Sequence, residues 1–292
     1  MKDKIVLVTG STSGIGMQVA IELAGRGATV LIHARTVIKG SETLEMLRQQ
    51  LPAASFNVFI SDFEKQHEIE QMAREIRLAY TRLDILVNNA AVYMERRGLT
   101  TDTIETTFAV NHLAPFLLTQ LLLPLLQSSP FARIINVSSH THYTAQFNVN
   151  NLQGELSYIG TKIYCCSKLC NLLFTYMLAE KLKDKNIMVN AVHPGFITTR
   201  LYKTLFGDFD SESLKDGADT IAFLASSDAV KNITGMYFMG RMPSKSSAIS
   251  YKKRYQQQLW KMSEKLTMIR DYLSDTGTEV PGTRQRELNL QK

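Results

Sequence analysis

Short apolar, β-branched segments alternate with segments of helical periodicity along most of this chain, and this alternation constrains its fold more than any other feature. The predicted strands are residues 5–9, 29–33, 56–60, 84–87, 133–137, 187–192 and 236–238. The predicted helices are residues 15–26, 41–50, 66–80, 103–126, 162–182, 213–226 and 251–265. Such alternation favours a parallel sheet, so we predict an α/β fold, a doubly wound parallel sheet of about seven strands with helices on both faces.

A glycine-rich turn connects the first predicted strand to the first predicted helix. Glycine backbones tolerate positive φ and let a pyrophosphate approach closely, while the free N–H groups of a helix N-terminus attract anions. The G-x3-G-x-G spacing differs from the commoner G-x-G-x2-G, and Met17 stands where a P-loop needs lysine. The predicted cofactor-binding turn comprises Gly10, Ser11, Thr12, Ser13, Gly14, Ile15 and Gly16 on a Rossmann-like sheet. A purely structural turn is the alternative.

Cofactor choice is indicated by the residues after the second predicted strand. An acidic residue there would bind the ribose 2′-hydroxyl of NAD, but residues 23–41 contain neither aspartate nor glutamate. Arg35 follows the strand and Lys39 is close behind. A guanidinium suits a 2′-phosphate, so we predict a preference for NADP(H) over NAD(H). The alternative is that Arg35 is an ordinary surface residue at the start of a loop.

A tyrosine and a lysine share one face of a predicted helix. Tyr164 and Lys168 are four residues apart, so their side chains are neighbours. A nearby ammonium favours the phenolate and lowers the tyrosine pKa, as general acid–base catalysis requires. This pair alone is a common surface pattern. Ser139 strengthens it, because it follows the fifth predicted strand at the edge where open α/β sheets bind ligands.

Five motifs occur in the order found in the short-chain dehydrogenase/reductase family, and the resemblance covers about the first 240 residues. They are Thr9-Gly10-x3-Gly14-x-Gly16, Asn88-Asn89-Ala90, Ser139, Tyr164-x3-Lys168 and Pro194-Gly195. Further segments resemble the retinol dehydrogenase-like branch, which includes the WW domain-containing oxidoreductase. They are Asn111-His112-Leu113, Asn136-Val137-Ser138-Ser139, Asn151-Leu152-Gln153-Gly154 and His193-Pro194-Gly195.

The resemblance implies an oxidoreductase that interconverts an alcohol and an aldehyde or ketone with NADP(H). Tyr164 would be the general acid for reduction and the general base for oxidation. Lys168 would lower the tyrosine pKa and hold the nicotinamide ribose, and Ser139 would hydrogen-bond the substrate oxygen. Asn111 would anchor a water that links Lys168 to solvent.

The resemblance also implies the remaining cofactor contacts. Asp62 would meet the adenine, Phe63 would be a further cofactor contact, and Thr199 would bind the nicotinamide carboxamide. Asn88, Ala90, Pro194 and Gly195 would complete the cofactor cleft. The sequence departs from the family at Ala91, where a glycine is usual, and this adds a methyl group close to the cofactor. Retinol dehydrogenases commonly carry an N-terminal membrane anchor, which we do not expect in this chain.

Aromatic residues near the predicted catalytic segments favour a mainly apolar substrate, retinoid-, steroid- or xenobiotic-like. We predict substrate contacts at His140, Phe196 and Tyr202. The pair His140 and His142 could suggest a metal, but no carboxylate or cysteine nearby completes a ligand set, so we predict no metal site.

The domain prediction follows from composition. Residues 1–240 contain no internal repeat or low-complexity linker and are predicted to form one NADP(H)-binding and catalytic domain. Residues 241–273 turn polar around one helix and are predicted to be an extension over the substrate cleft. Residues 274–292 have few large apolar side chains and are predicted to be a flexible tail.

Charge and cysteine content limit the partners. The formal charge of +6 is compatible with a nucleic acid or a membrane surface, but no nucleic-acid motif is present, so we predict a solvated surface and an anionic cofactor. The longest apolar stretch, 116–126, contains Thr119, Gln120 and Pro124, and we predict no membrane span. The three cysteines lie in one predicted helix, too close together for a disulfide framework, and this favours a reducing compartment. We expect no signal peptide, so we predict a location in the cytoplasm.

Two further predictions complete the analysis. The helix at 162–182 carries more apolar residues than one sheet face needs, which favours a homodimer through that helix. The alternative to an enzyme is a catalytically silent NADP(H)-binding sensor, although such a protein would not need Asn111, Ser139, Tyr164 and Lys168 together.

Overall fold

The computed structural model describes residues 1–197, 199–207 and 213–269. Within them one sheet of eight strands has the order β3-β2-β1-β4-β5-β6-β7-β8. The strands are β1 Ile5–Val8, β2 Thr29–Ala34, β3 Ser55–Ile60, β4 Ile85–Asn88, β5 Ala132–Val137, β6 Ile187–His193, β7 Tyr237–Met239 and β8 Met242–Ser244. The first seven are parallel, and β8 pairs antiparallel with β7. The predicted doubly wound fold is confirmed.

The eighth strand was not predicted, because Met242–Ser244 contains no β-branched residue and includes Pro243. It pairs because it returns beside β7 at the edge of the sheet, a position that tolerates proline. Strand order reverses beside β1, which lies between β2 and β4. Such a switch point opens a crevice at the carboxyl ends of the strands, where doubly wound sheets bind ligands.

The helices cover both faces of the sheet. They are α1 Gly14–Gly25, α2 Val37–Gln50, α3 Gln66–Ala79, α4 Thr106–Phe108, α5 Ala114–Gln127, α6 Gly160–Lys181, α7 Arg200–Phe206, α8 Leu214–Ser226 and α9 Lys253–Thr267. Successive side chains of β1 point to opposite faces. Val6 and Val8 join a core with α1 and α8, and Leu7 joins a second core with α3 and α5. Both faces are therefore buried, as the apolar strand sequence predicts.

A π-helical turn, Ala109–Leu113, joins α4 and α5 into one continuous helix, Thr106–Gln127. By length and composition this helix could cross a membrane, since an 18-residue window has a mean hydropathy of 1.5. In the fold, 89% of that window is buried, so its apolar surface is used in the core of the protein.

Helix α9 packs against α6 and α5. Trp260 meets the ring of Phe116 at 5.1 Å in a T-shaped arrangement and that of Phe174 at 6.1 Å. The extra apolar surface of α6, on which the homodimer prediction was based, is thus covered within the chain.

The position of residues 241–273 over the substrate cleft stays a prediction, and residues 241–269 are not among the lining residues of the cleft described below. The apolar stripe of α9 packs against α6. The rest of the extension and the predicted tail lie outside the described residues.

Candidate active site

The glycine turn between β1 and α1 forms one wall of the site, and its glycines serve different purposes. Gly10 has φ +62°, and a Cβ there would lie 2.9 Å from the Cα of Ala90. A Cβ on Gly16 would lie 2.4 Å from both Asn89 Nδ2 and Gly10 O. These two glycines are required by packing. Gly14 has φ +57°, and a Cβ there would meet only Thr199 Cγ2, at 3.9 Å. Gly14 therefore borders open space in the cleft.

The N-terminus of α1 is prepared for an anion. Its N-cap residue, Ser13, makes no side-chain capping hydrogen bond, whereas Thr36 and Ser213 cap α2 and α8. No acidic residue lies in the first turn of α1. The N–H groups and the positive end of the helix dipole therefore face the cleft without a protein carboxylate. Together with Gly14, this arrangement fits a pyrophosphate.

A buried histidine holds the turn in place. His33 Nδ1 accepts a hydrogen bond from the Gly10 N–H at 2.9 Å, and Nε2 lies 2.9 Å from the carbonyl oxygen of Ser61. Because Nδ1 accepts, the proton resides on Nε2 and is donated to Ser61. The ring also stacks on Phe63 at 4.0 Å. Burial lowers the pKa of His33 to about 4, so the ring is neutral. The sequence motifs did not single out this residue.

Two residues predicted to bind the cofactor point away from the cleft. Ser11 is fully buried; its hydroxyl donates to Val8 O and accepts from the His33 N–H. Asn88 donates to Thr119 and Asn136 inside the core. Asn89 lines the cleft instead and donates to Thr9 O. Neighbours in an extended chain point to opposite sides, so the choice between such residues depends on the strand's orientation.

The cleft at the switch point has a volume of about 620 Å³. Among the predicted residues, its walls include Gly10, Thr12, Ser13, Gly14, Ile15, Gly16, Arg35, Asp62, Phe63, Ala90, Ser139, Tyr164, Lys168, Pro194, Gly195, Thr199 and Tyr202. The structure thus brings the glycine turn and the Ser–Tyr–Lys motif into one cleft. Ala91, the departure from the family's glycine, also lines it.

The end of the cleft beside β2 carries charge of both signs. Arg35 and Lys39 are exposed there, and Asp62 and Glu64 also line the cleft. Lys39 is paired with Glu42 at 3.3 Å. Arg35 has neither an ion pair nor a hydrogen bond within the described ranges. Its guanidinium is therefore available to an anionic ligand.

The predicted catalytic side chains meet where β5 ends beside α6. Lys168 Nζ donates to Val137 O at 3.1 Å, and the Ser138 hydroxyl donates to Lys168 O at 2.8 Å. These bonds fix α6 against the strand that carries Ser139. The Lys168 Nζ lies 5.6 Å from the centre of the Tyr164 ring. Ser139, Tyr164 and Lys168 are each more than nine-tenths buried.

Burial dominates the electrostatics of this pair. It raises the pKa of Tyr164, and it lowers the pKa of Lys168 to about 8. We predicted that the lysine lowers the tyrosine pKa. Desolvation of the buried phenolate is the largest cause of the raised pKa of Tyr164, and the neighbouring Cys165 and Tyr202 raise it further. The lowering of this pKa by Lys168 stays a prediction.

Asn111 lies in the π-helical turn, a type of helix defect that is frequent at functional sites. Its Oδ1 accepts from the Val92 N–H at 2.7 Å, and Nδ2 donates to Val92 O at 2.9 Å and to Ser167 Oγ at 3.0 Å. Asn111 thus joins the Val92 loop to α6 and does not line the cleft. Both amide hydrogens are used, so a water held by this side chain would have to donate to it.

The end of the cleft beside β6 is aromatic. His140 and Phe196, predicted substrate contacts, lie 5.4 Å apart at the rim, outside the cleft lining itself. Tyr202 lines the cleft, and Thr199 caps α7 by accepting from the Tyr202 N–H. His193, the last residue of β6, also lines the cleft and was missed as a site residue. Its sequence signal was its place directly before Pro194-Gly195.

No group of three or more metal-ligating side chains occurs among the residues that the structure describes.

One cleft of a Rossmann-like sheet contains both a glycine-rich turn suited to a dinucleotide and the buried residues Ser139, Tyr164 and Lys168. This combination is typical of dehydrogenases. The chain belongs to the short chain dehydrogenase family, whose model matches residues 4–208. It is 35% identical over 275 residues to retinol dehydrogenase 12 from Mus musculus, covering 91% of this chain and 87% of that one. The predicted retinol dehydrogenase-like branch is confirmed, and the protein is an oxidoreductase acting on CH–OH groups.

Solved structures agree with this assignment. An uncharacterised protein from Mycobacterium Paratuberculosis matches with a TM-score of 0.78 and 29% identity, over 92% of this chain and 95% of that one. A short chain dehydrogenase from Escherichia coli CFT073, complexed with NADPH, matches with a TM-score of 0.68 and 26% identity, over 83% and 98%.

Proposed function

We propose that this protein interconverts an alcohol and an aldehyde or ketone on a mainly apolar, retinoid-, steroid- or xenobiotic-like substrate with NADP(H). The observation that carries the proposal is the convergence of Ser139, Tyr164 and Lys168 in the cleft that also contains the glycine turn. The similarity to retinol dehydrogenase 12 and to an NADPH-complexed short chain dehydrogenase supports it.

The cofactor would lie along the whole cleft. The α1 N-terminus and Gly14 would hold the pyrophosphate, and Arg35 with Lys39 would hold the 2′-phosphate. Asp62 and Phe63 would face the adenine, and Ala90, Pro194, Gly195 and Thr199 would line the path to the nicotinamide. When bound, the nicotinamide supplies or accepts the hydride.

The protein's own residues would manage the proton. Ser139 would donate a hydrogen bond to the substrate oxygen. Tyr164 would give its phenolic proton to that oxygen during reduction and take it back during oxidation. Because burial raises the pKa of Tyr164, the charge on Lys168 is needed beside it. Lys168 is held there by Val137 O.

Asn111 would act as a positioning residue. Its bonds to Val92 and Ser167 fix the loop that borders the cleft and the helix that carries Tyr164. The water that the resemblance implies at Asn111 stays a prediction.

The test follows the absorbance of NADPH and NADH with a panel of apolar aldehydes and ketones. We expect NADPH oxidation that Tyr164→Phe abolishes while NADPH still binds. Tyr80→Phe, a matched change at the end of α3 outside the cleft, should leave the rate unchanged. Tight NADPH binding without turnover would instead favour the catalytically silent sensor.

The predicted setting belongs to the same proposal: a small-molecule substrate, no nucleic acid, no membrane span and a location in the cytoplasm. The homodimer stays a prediction, but α9 covers the face of α6 on which it was based. A dimer would therefore need a surface other than this face of α6. A monomeric sedimentation value at micromolar concentration would contradict the homodimer prediction.

A further inference from the structure

His193 differs from the other buried histidines in its hydrogen bonding. It is 3% exposed and lines the cleft, yet neither ring nitrogen has a partner among the residues that the structure describes. In His33 and His142, by contrast, both ring nitrogens are hydrogen-bonded. A buried polar atom without a partner costs free energy, so two on one ring in a cleft wall indicate a ligand that completes them.

The position of His193 in the sheet favours the substrate as this ligand. In the β5–β6 register Val137 pairs with Val192, and the Ser138 N–H donates to Val192 O at 2.8 Å. His193 therefore lies at the sheet edge beside Ser139. His193 ends the strand next to β5, which directly precedes the predicted catalytic serine, and it therefore lies at the proposed substrate end of the cleft.

The surroundings of His193 are aromatic. Its ring meets Phe196 at 5.0 Å in a T-shaped arrangement and His140 at 6.0 Å. Burial, together with the neighbouring His140 and His142, lowers the pKa of His193 to about 4. At neutral pH the ring is uncharged and offers one N–H donor and one nitrogen acceptor. Such a ring suits a hydroxyl or carbonyl oxygen within an otherwise apolar wall.

We propose that His193 binds a second oxygen of the substrate, distinct from the reacting carbonyl, and so selects uncharged carbonyl compounds with a hydroxyl or carbonyl group near the reacting carbon. This inference rests on the proposed function. In this arrangement Ser139 and Tyr164 bind the reacting oxygen of the substrate, and His193 orients the substrate by binding its other oxygen.

The test uses NADPH with 1-phenyl-1,2-propanedione and with propiophenone, in which a methylene group replaces the second carbonyl group of the dione. The ratio of their kcat/KM values is measured in each variant, so that the different intrinsic reactivities cancel. We expect His193→Phe to lower this ratio about tenfold, the effect of one hydrogen bond in a buried site. His193→Gln, which keeps a donor and an acceptor, should restore most of it.

Controls separate this role from structural damage. His67→Phe makes the same change on the exposed surface of α3 and should leave the ratio unchanged. If phenylalanine disturbs folding, His193→Leu removes the same nitrogens with a smaller side chain.

A ratio that stays within about twofold of the unmutated value in a folded His193→Phe or His193→Leu protein would overturn the inference. A loss of NADPH affinity as large as the fall in the kcat/KM ratio would also overturn the inference, because the His193 ring would then bind the cofactor. Failure of the proposed function is seen separately, as NADPH oxidation that survives Tyr164→Phe.

Discussion

His142 links the C-terminal extension to the backbone of Ser139. Its Nε2 accepts a hydrogen bond from the Ser247 N–H at 3.1 Å, and its Nδ1 lies 2.6 Å from Ser139 O. Because Nε2 accepts, the proton resides on Nδ1 and is donated to Ser139. The ring is fully buried, so water does not compete for either bond. The extension therefore helps to position the predicted catalytic serine without lining the cleft.

This link predicts that the extension contributes to turnover. His142→Phe keeps a ring and removes both hydrogen bonds, so we expect kcat to fall about tenfold while the NADPH Kd stays unchanged. Ser247→Pro removes the N–H donor together with a hydroxyl that has no partner among the described residues, at a residue whose φ of −58° already suits proline, and should lower kcat less. Steady-state kinetics and cofactor titration check both. An unchanged kcat in both variants would contradict the positioning role.

The guanidinium of Arg35 leads us to expect a preference for NADPH over NADH. Arg35→Glu replaces the free guanidinium with a carboxylate, which would repel a 2′-phosphate, and we expect NADPH affinity to fall at least about tenfold with little change for NADH. Arg48→Glu, the same change near the far end of α2, is the matched control. Fluorescence titration with both cofactors measures the effect. Equal affinities of the unmutated protein for NADPH and NADH would show that the preference is absent.

The glycine turn predicts that two alanine substitutions act differently. Gly14→Ala places a methyl group in the open cleft at φ +57°, so we expect weaker NADPH binding and a stability loss of only about 1 kcal/mol. Gly16→Ala would push a methyl group into Asn89 and Gly10 O, so its main effect should be a larger loss of stability. Urea unfolding and NADPH titration separate the two effects. Equal stability losses would count against this division.

Buried histidines predict sensitivity to mild acid. Burial lowers the pKa of His33, His142 and His193 to about 4 and that of His112 to about 3. The unfolded chain, with ordinary histidine pKa values near 6.5, binds more protons below that pH. Stability should therefore be fully present above about pH 6.5 and fall as the pH drops toward 4.

Urea unfolding at pH 7.5 and pH 5.0 measures this loss. His112→Leu removes one of these histidines from an aromatic pocket and should reduce the difference between the two pH values. His67→Leu, on the exposed surface, should not change it. No loss of stability between the two pH values would refute the prediction.

Local sequence determined the fold and much of the site. The strand and helix periods follow from alternating burial, which is a property of each segment, and they predicted the doubly wound sheet. The spacing of Gly10, Gly14 and Gly16, and of Tyr164 and Lys168, likewise depends on local geometry. Motif order then identified the family, because each motif sits at a fixed point of one topology.

Tertiary structure decided what depends on residues far apart in the chain. The partners of His142 and His33 come from other elements, so no local pattern marks these histidines as positioning residues. Strand orientation decided that Asn89 rather than Asn88 faces the cleft. The packing of α9 decided that the apolar face of α6 is covered within the chain. The physical reason is common to all three: hydrogen bonding and burial depend on which surfaces meet, and the sequence records only the surfaces themselves.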